Sequence, residues 1–150
     1  MEKKCQEYEL KTLAADWSWL IDFDEFDLAA ISPFGDLLMH DRARAWCLLD
    51  INYGALEYAT ETGSSPPELF PMAFDGRMAK TYLDAGLRLR PGTCYGYKVQ
   101  CVAGGSAEPS NVYVATLSEY VSFMGCFHEQ IREVADGDSV VINVVRPLVN

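Results

Sequence analysis

Between Leu28 and Ala59 the chain is cut into four short apolar segments by residues that favour turns. Leu28-Ala-Ala-Ile31 runs into Ser32-Pro33-Phe34-Gly35, and Asp36-Leu-Leu-Met-His40 runs into the polar Asp41-Arg-Ala-Arg44. Ala45-Trp-Cys-Leu-Leu49 runs into Asp50-Ile-Asn-Tyr-Gly54, and Ala55-Leu-Glu-Tyr-Ala59 closes the series. Segments this short suit strands rather than helices. Their connections admit only antiparallel neighbours, because a parallel pair needs a crossover of about a dozen residues or more. A β-meander is therefore the frame on which the rest of the chain must pack.

Helical spacing flanks this frame. Leu10, Leu13, Ala14, Trp17 and Leu20 or Ile21 recur as one helix face and predict a helix over 10–21. Ser65 can cap a helix with Pro66 in its first position, although Pro71 interrupts it early. Arg77 to Ala85 carries Met78, Tyr82 and Leu83 on one side and is closed by Gly86. Leu87-Arg-Leu-Arg90 alternates apolar and basic residues before the aromatic strand Cys94–Val99, and a loop follows at Gly104-Gly105 and Pro109-Ser-Asn111. Thr116-Leu-Ser-Glu119 reads as a capping box ahead of Tyr120, Val121, Met124, Phe127, Ile131 and Val134. That helix is expected to break at Asp136-Gly137, before a last strand over Ser139–Val145. The expectation is one α+β domain over 1–150, a mainly antiparallel sheet (the meander plus later strands) packed with about four helices. Trp46 and Met124 are placed in its core.

A chain of 150 residues, 49% of them apolar, can support such a core without disulfides or a structural metal. Cys5, Cys47, Cys94, Cys101 and Cys126 are odd in number and form no C-x-x-C pair, so they read as buried free thiols of a reducing compartment. No signal peptide is visible behind Met-Glu-Lys-Lys-Cys, and the longest stretch free of charged residues is the ten residues Pro109–Ser118. A membrane span needs about 20. A cytoplasmic protein is expected, with no membrane contact.

Charge separates the two halves. Residues 1–75 hold 15 acidic and 5 basic residues, whereas residues 76–150 hold 7 of each, so the whole net charge of −10 belongs to the first half. This excludes an ordinary nucleic-acid binder, which needs lysine and arginine to displace condensed counterions. The densest acidic piece sets Asp16, Asp22, Asp24, Glu25 and Asp27 among Trp17, Trp19, Phe23 and Phe26. It is either a solvated turn or a contact surface for a basic partner, with Phe23 and Phe26 among its apolar anchors.

No catalytic or metal motif closes. His128-Glu129 has Arg132 where a second metal-binding histidine would stand, and Cys126 and His128 project about 200° apart on a helix. Asp22, Asp24 and Asp27 do not make a calcium loop, because Phe26 and Asp27 occupy its fifth and sixth positions. Cys94 and Cys101 lack a second cluster for zinc, and Gly104-Gly105 lacks the Lys-Ser/Thr of a phosphate loop. No cofactor and no catalytic residue is assigned. Arg77, Lys80, Arg88, Arg90 and Lys98 form the one basic stretch.

Several phrases, taken in order, carry a resemblance. These are Trp17-Ser-Trp-Leu-Ile21, Ile31-Ser-Pro-Phe-Gly-Asp36, Cys94-Tyr-Gly-Tyr-Lys98, Gly104-Gly105 with Asn111, and Gly125-Cys-Phe-His-Glu-Gln-Ile131 followed by Asp136-Gly137. From about Trp17 to Val145 the chain resembles the C-terminal domain of bacterial type VI secretion immunity proteins, a family that includes partners of DNase effectors. Two departures stand out: only 16 residues precede Trp17 where such relatives carry a further domain, and Val99-Gln-Cys-Val-Ala-Gly-Gly105 lacks a proline expected after the aromatic strand. The resemblance implies a stand-alone, non-catalytic immunity protein whose partner is a cognate, basic toxin. On that reading the acids from Asp16 to Asp27 cover the toxin's active site. The alternative is a small-ligand or nucleotide-binding regulatory domain that uses the basic strand 87–98 and the Gly104-Gly105 loop; a third is an enzyme whose acids converge only in the fold.

Overall fold

The computed structural model describes residues 8–59, 70–74 and 76–134. The four apolar segments become β1 (Phe26–Ile31), β2 (Leu37–Asp41), β3 (Trp46–Asp50) and β4 (Ala55–Tyr58), an antiparallel meander in the order β1-β2-β3-β4. β5 (Thr93–Tyr97) and β6 (Val112–Thr116) form a separate antiparallel pair. The helices are α1 (Leu10–Leu13), α2 (Pro71–Phe74), α3 (Gly76–Asp84) and α4 (Leu117–Ile131). The domain is α+β, as expected. Only α3 and α4 exceed a single turn among the described residues, so the set of about four helices is reduced. The helix start at Ser65-Pro66, the break at Asp136-Gly137 and the strand over Ser139–Val145 lie outside the described residues.

The central strands bury both faces, which is why β2 and β3 read as continuous apolar runs instead of alternating. Leu37, Met39, Cys47 and Leu49, with Ile51 just beyond β3, share one core with Trp17 and with Val121, Met124 and Phe127 of α4. Leu38 and Leu48 point the other way, onto Ala30, Phe70 and Ala73. A third cluster of Phe34, Tyr82, Tyr95 and Val112 fastens α3 to the β5–β6 pair.

Three local expectations change. The helix over 10–21 stops after Leu13 and continues as a 3₁₀ turn over Ala15–Trp17. In an unbroken helix, Trp17 and Trp19 would point about 200° apart. Here both reach α4: the Trp17 Nε1–H donates to the Val121 carbonyl at 2.9 Å and the Trp19 Nε1–H to the Gly125 carbonyl at 3.1 Å. Gly125 permits this approach, since a Cβ there would lie 2.6 Å from the Asp16 carbonyl oxygen. Second, the Thr116 side chain makes no cap, and the Leu117 N–H donates to the Gly92 carbonyl; the helix ends at Ile131, short of Asp136. Third, Met124 is fully buried but Trp46 is only half-buried, with the His40 ring 3.7 Å away by centroid.

Candidate functional site

The acidic stretch is a surface turn built on a buried base. Ile21 is buried, and the Asp22 carboxylate then caps a 3₁₀ turn over Phe23–Glu25 by accepting the Asp24 N–H at 3.1 Å. The chain enters β1 at Phe26. Asp22, Asp24, Glu25 and Asp27 are all exposed.

Antiparallel register brings a cation to them. Phe26 pairs with Asp41, so the start of β1 lies beside the turn that follows β2, where Arg42 stands. The Arg42 Nε–H donates to the Asp24 carbonyl at 2.7 Å, Nη2 donates to the same oxygen, and Nη1 lies 3.4 Å from the Asp27 carboxylate. The guanidinium thus clamps the backbone of the acidic turn while leaving an excess of negative charge on it. A shallow cleft of about 340 Å³ adjoins the turn, between Tyr8–Lys11 and Phe23–Leu28. Arg42 is the residue the linear sequence left out of this site. Assuming the meander register would have found it.

The aromatic residues of the stretch do not share this exposure. Phe26, expected as an anchor for a partner, is 7% exposed and belongs to the main core because it opens a strand whose inner face packs there. Trp17 is fully buried, and Phe23 is half-buried against the same core. Asp16 leaves the acidic surface as well, for its carboxylate accepts a hydrogen bond from the Ser122 hydroxyl of α4. Of the expected set, Asp22, Asp24, Glu25 and Asp27 form the exposed group, and Phe23 supplies apolar surface at its edge.

A second polar group lies inside the fold, where no sequence pattern marked it. Asp36 is buried at the head of β2: it accepts the Ser32 hydroxyl at 3.2 Å and the Ile51 N–H at 3.2 Å. Burial first, and then the negative charge of Asp50, push its carboxyl up to about 8, so it carries its proton at neutral pH. Asn52 donates to the Phe34 carbonyl, and its side-chain oxygen accepts the Tyr120 hydroxyl at 2.8 Å. His128 is buried above it, its Nε2 lying 3.2 Å from the Asn52 carbonyl. A carbonyl can only accept, so Nε2 bears the proton; burial lowers the basicity of this ring. Every buried side-chain nitrogen and oxygen among the described residues has a partner. The group therefore ties the Ile51–Gly54 turn to α4.

The alternative ligand site changes shape too. Strand structure covers Thr93–Tyr97, so residues 87–92 lie outside it. The Gly104 and Gly105 N–H groups donate to the Cys101 and Gln100 carbonyls, and the Asn111 side chain closes the loop onto Val99 and Ser106. The loop amides are thereby occupied internally. A Cβ on Gly105 would lie 1.8 Å from the Val99 carbonyl oxygen, which accounts for the glycine without a phosphate.

Cys47 and Cys94 are buried as expected, whereas Cys101 and Cys126 are only half-buried; burial pushes the Cys47 and Cys94 thiols up to about 12, with help from the charges of Asp41 and Asp36 respectively. No cluster of three or more histidine, cysteine or acidic side chains fit for a metal occurs among the described residues. No helix among them is long and apolar enough to cross a membrane. No protein-family model matches this chain, and no curated protein matches its sequence.

Proposed function

We propose that this chain is a non-catalytic immunity protein that binds and neutralises a secreted bacterial toxin, a type VI nuclease effector, through its acidic turn. The supporting observation is the exposure of Asp22, Asp24, Glu25 and Asp27 on a turn whose backbone Arg42 clamps. A nuclease exposes a basic groove for phosphates. Preorganised carboxylates complement that groove, steer the encounter, and occupy it without having to be ordered on binding. The type VI assignment draws on the ordered sequence resemblance from Trp17 to Val145, and the choice of face draws on the charge asymmetry.

The test is the association rate with the effector encoded beside this chain. With Asp22, Asp24, Glu25 and Asp27 all changed to Lys, the on-rate should fall about tenfold or more at low salt, and the difference should shrink as salt screens it. An unchanged on-rate in low salt, with the fold intact by circular dichroism, would refute the acidic-face reading.

A further inference from the structure

We propose a second docking surface on the basic half of the molecule, one that accepts an extended segment of a partner protein carrying alternating apolar and acidic side chains. It goes beyond the toxin-facing role, since it uses other residues and the opposite charge.

A cleft of about 440 Å³ opens between α3 and the segment that follows it. Pro33, Ala79, Leu83 and Leu89 make its apolar lining, with Lys80 and Arg88 at its margin. Leu83, next to the fully buried Tyr82 at the end of α3, is 44% exposed. An apolar side chain from outside has a place to go.

The wall at Leu87–Arg90 lies outside both sheets, and among the described residues no strand pairs with it. Leu87 and Leu89 are half-buried while Arg88 and Arg90 are exposed, the alternation of a strand. Leu87 is committed at both backbone groups, its N–H to the Tyr82 carbonyl and its carbonyl to the Tyr95 hydroxyl, and the Arg90 N–H donates to the Thr93 hydroxyl. Among the described residues nothing accepts or donates at the backbone of Arg88 or Leu89. An incoming extended chain can pair there, the mode by which sheet edges capture peptides.

Charge selects the occupant. From Gly76 to Gln100 the chain carries five bases and one acid, and that acid, Asp84, is already 2.8 Å from Lys80. Arg88 and Arg90 have no ion pair among the described residues. Two outward guanidinium groups at strand spacing match carboxylates at the same spacing on the partner, and each can be held bidentately. An acidic segment satisfies them; a basic one is repelled.

The probe is a short synthetic peptide of alternating leucine and glutamate, titrated into the isotope-labelled full chain and followed by amide chemical shifts. Saturable shifts centred on Leu83, Arg88, Leu89 and Arg90 are expected. The double change Arg88→Glu with Arg90→Glu should weaken binding about tenfold or more, and Leu83→Ser should weaken it with the thermal midpoint unaltered. All three positions are exposed, so the variants remain folded. Methylating the peptide's backbone nitrogens should abolish binding if the segment pairs as a strand. The proposal is overturned if a leucine–lysine peptide binds as well, if charge reversal leaves affinity unchanged, or if inorganic phosphate alone reproduces the shifts. Concentration-dependent shifts at the same amides without peptide would mark the cleft as a contact between copies, and overturn it equally.

Discussion

The Tyr120 hydroxyl sits between two distant pieces of chain, donating to the Asn52 side-chain oxygen at 2.8 Å and accepting the Tyr97 N–H at 3.2 Å. One side chain of α4 thereby ties the turn after β3 to the end of β5. Gly96 makes room for it, as a Cβ there would lie 2.8 Å from the Tyr120 ring.

Tyr120→Phe keeps the ring and removes only the oxygen, leaving a buried amide oxygen and a backbone N–H without partners. The loss should be about 1–3 kcal/mol. Urea unfolding measures it; a change under about 0.5 kcal/mol would mean that these groups find other partners.

Stability should fall as pH rises from about 6.5 to 8. The folded Asp36 carboxyl titrates near 8 against an ordinary value of 3.8, so over this interval the unfolded chain has released a proton that the folded chain retains. Unfolding therefore becomes easier with pH, by up to about 1.4 kcal/mol per unit. His128 acts in the opposite sense and lower down. Its folded value lies below 6.5, so the unfolded chain binds the proton first as pH falls, and stability is lost toward acid. Denaturation midpoints across pH test both slopes. In Asp36→Asn the decline between 6.5 and 8 should disappear while the acid-side loss persists.

Gly125→Ala should destabilise by about 1–3 kcal/mol despite the helix preference of alanine, because the new methyl meets the Asp16 backbone and not a movable side chain. Trp19 fluorescence provides a second readout. Its indole is bonded to the Gly125 carbonyl with the Arg132 guanidinium 5.3 Å above the ring, so displacement should shift its emission.

Met124→Ala removes a fully buried side chain and should cost about 2–5 kcal/mol. Trp46→Ala should cost less than that, since half-buried Trp46 leaves solvent to fill its place. Equal losses measured by calorimetry would place Trp46 in the core after all.

Much of this architecture was legible in the linear sequence. Turn residues at Ser32–Gly35, Asp41–Arg44 and Asp50–Gly54 fell where the meander turns, because tight connections leave antiparallel pairing as the one geometric solution. α3 and its Gly86 stop were also legible, the glycine being left-handed with φ 93°. Less visible were features that depend on a partner far along the chain. The 10–21 segment has helical periodicity, yet two indole N–H groups seeking carbonyls on α4 outweigh it. Thr116 has the pattern of a cap, yet its side chain makes none, and the neighbouring Leu117 N–H finds its acceptor in distant Gly92.

The acidic stretch divides along the same line. Its composition alone determined that the first half of the chain carries the net charge of −10. Tertiary packing decided which of its residues can meet anything. Phe26 turned inward with the strand it begins, Asp16 was taken by Ser122, and Asp22, Asp24, Glu25 and Asp27 stayed outside under the clamp of Arg42. Charge is a property of residues and can be counted. Exposure is a property of what lies across from them, and in this protein that is a helix about 100 residues later and a turn between two strands.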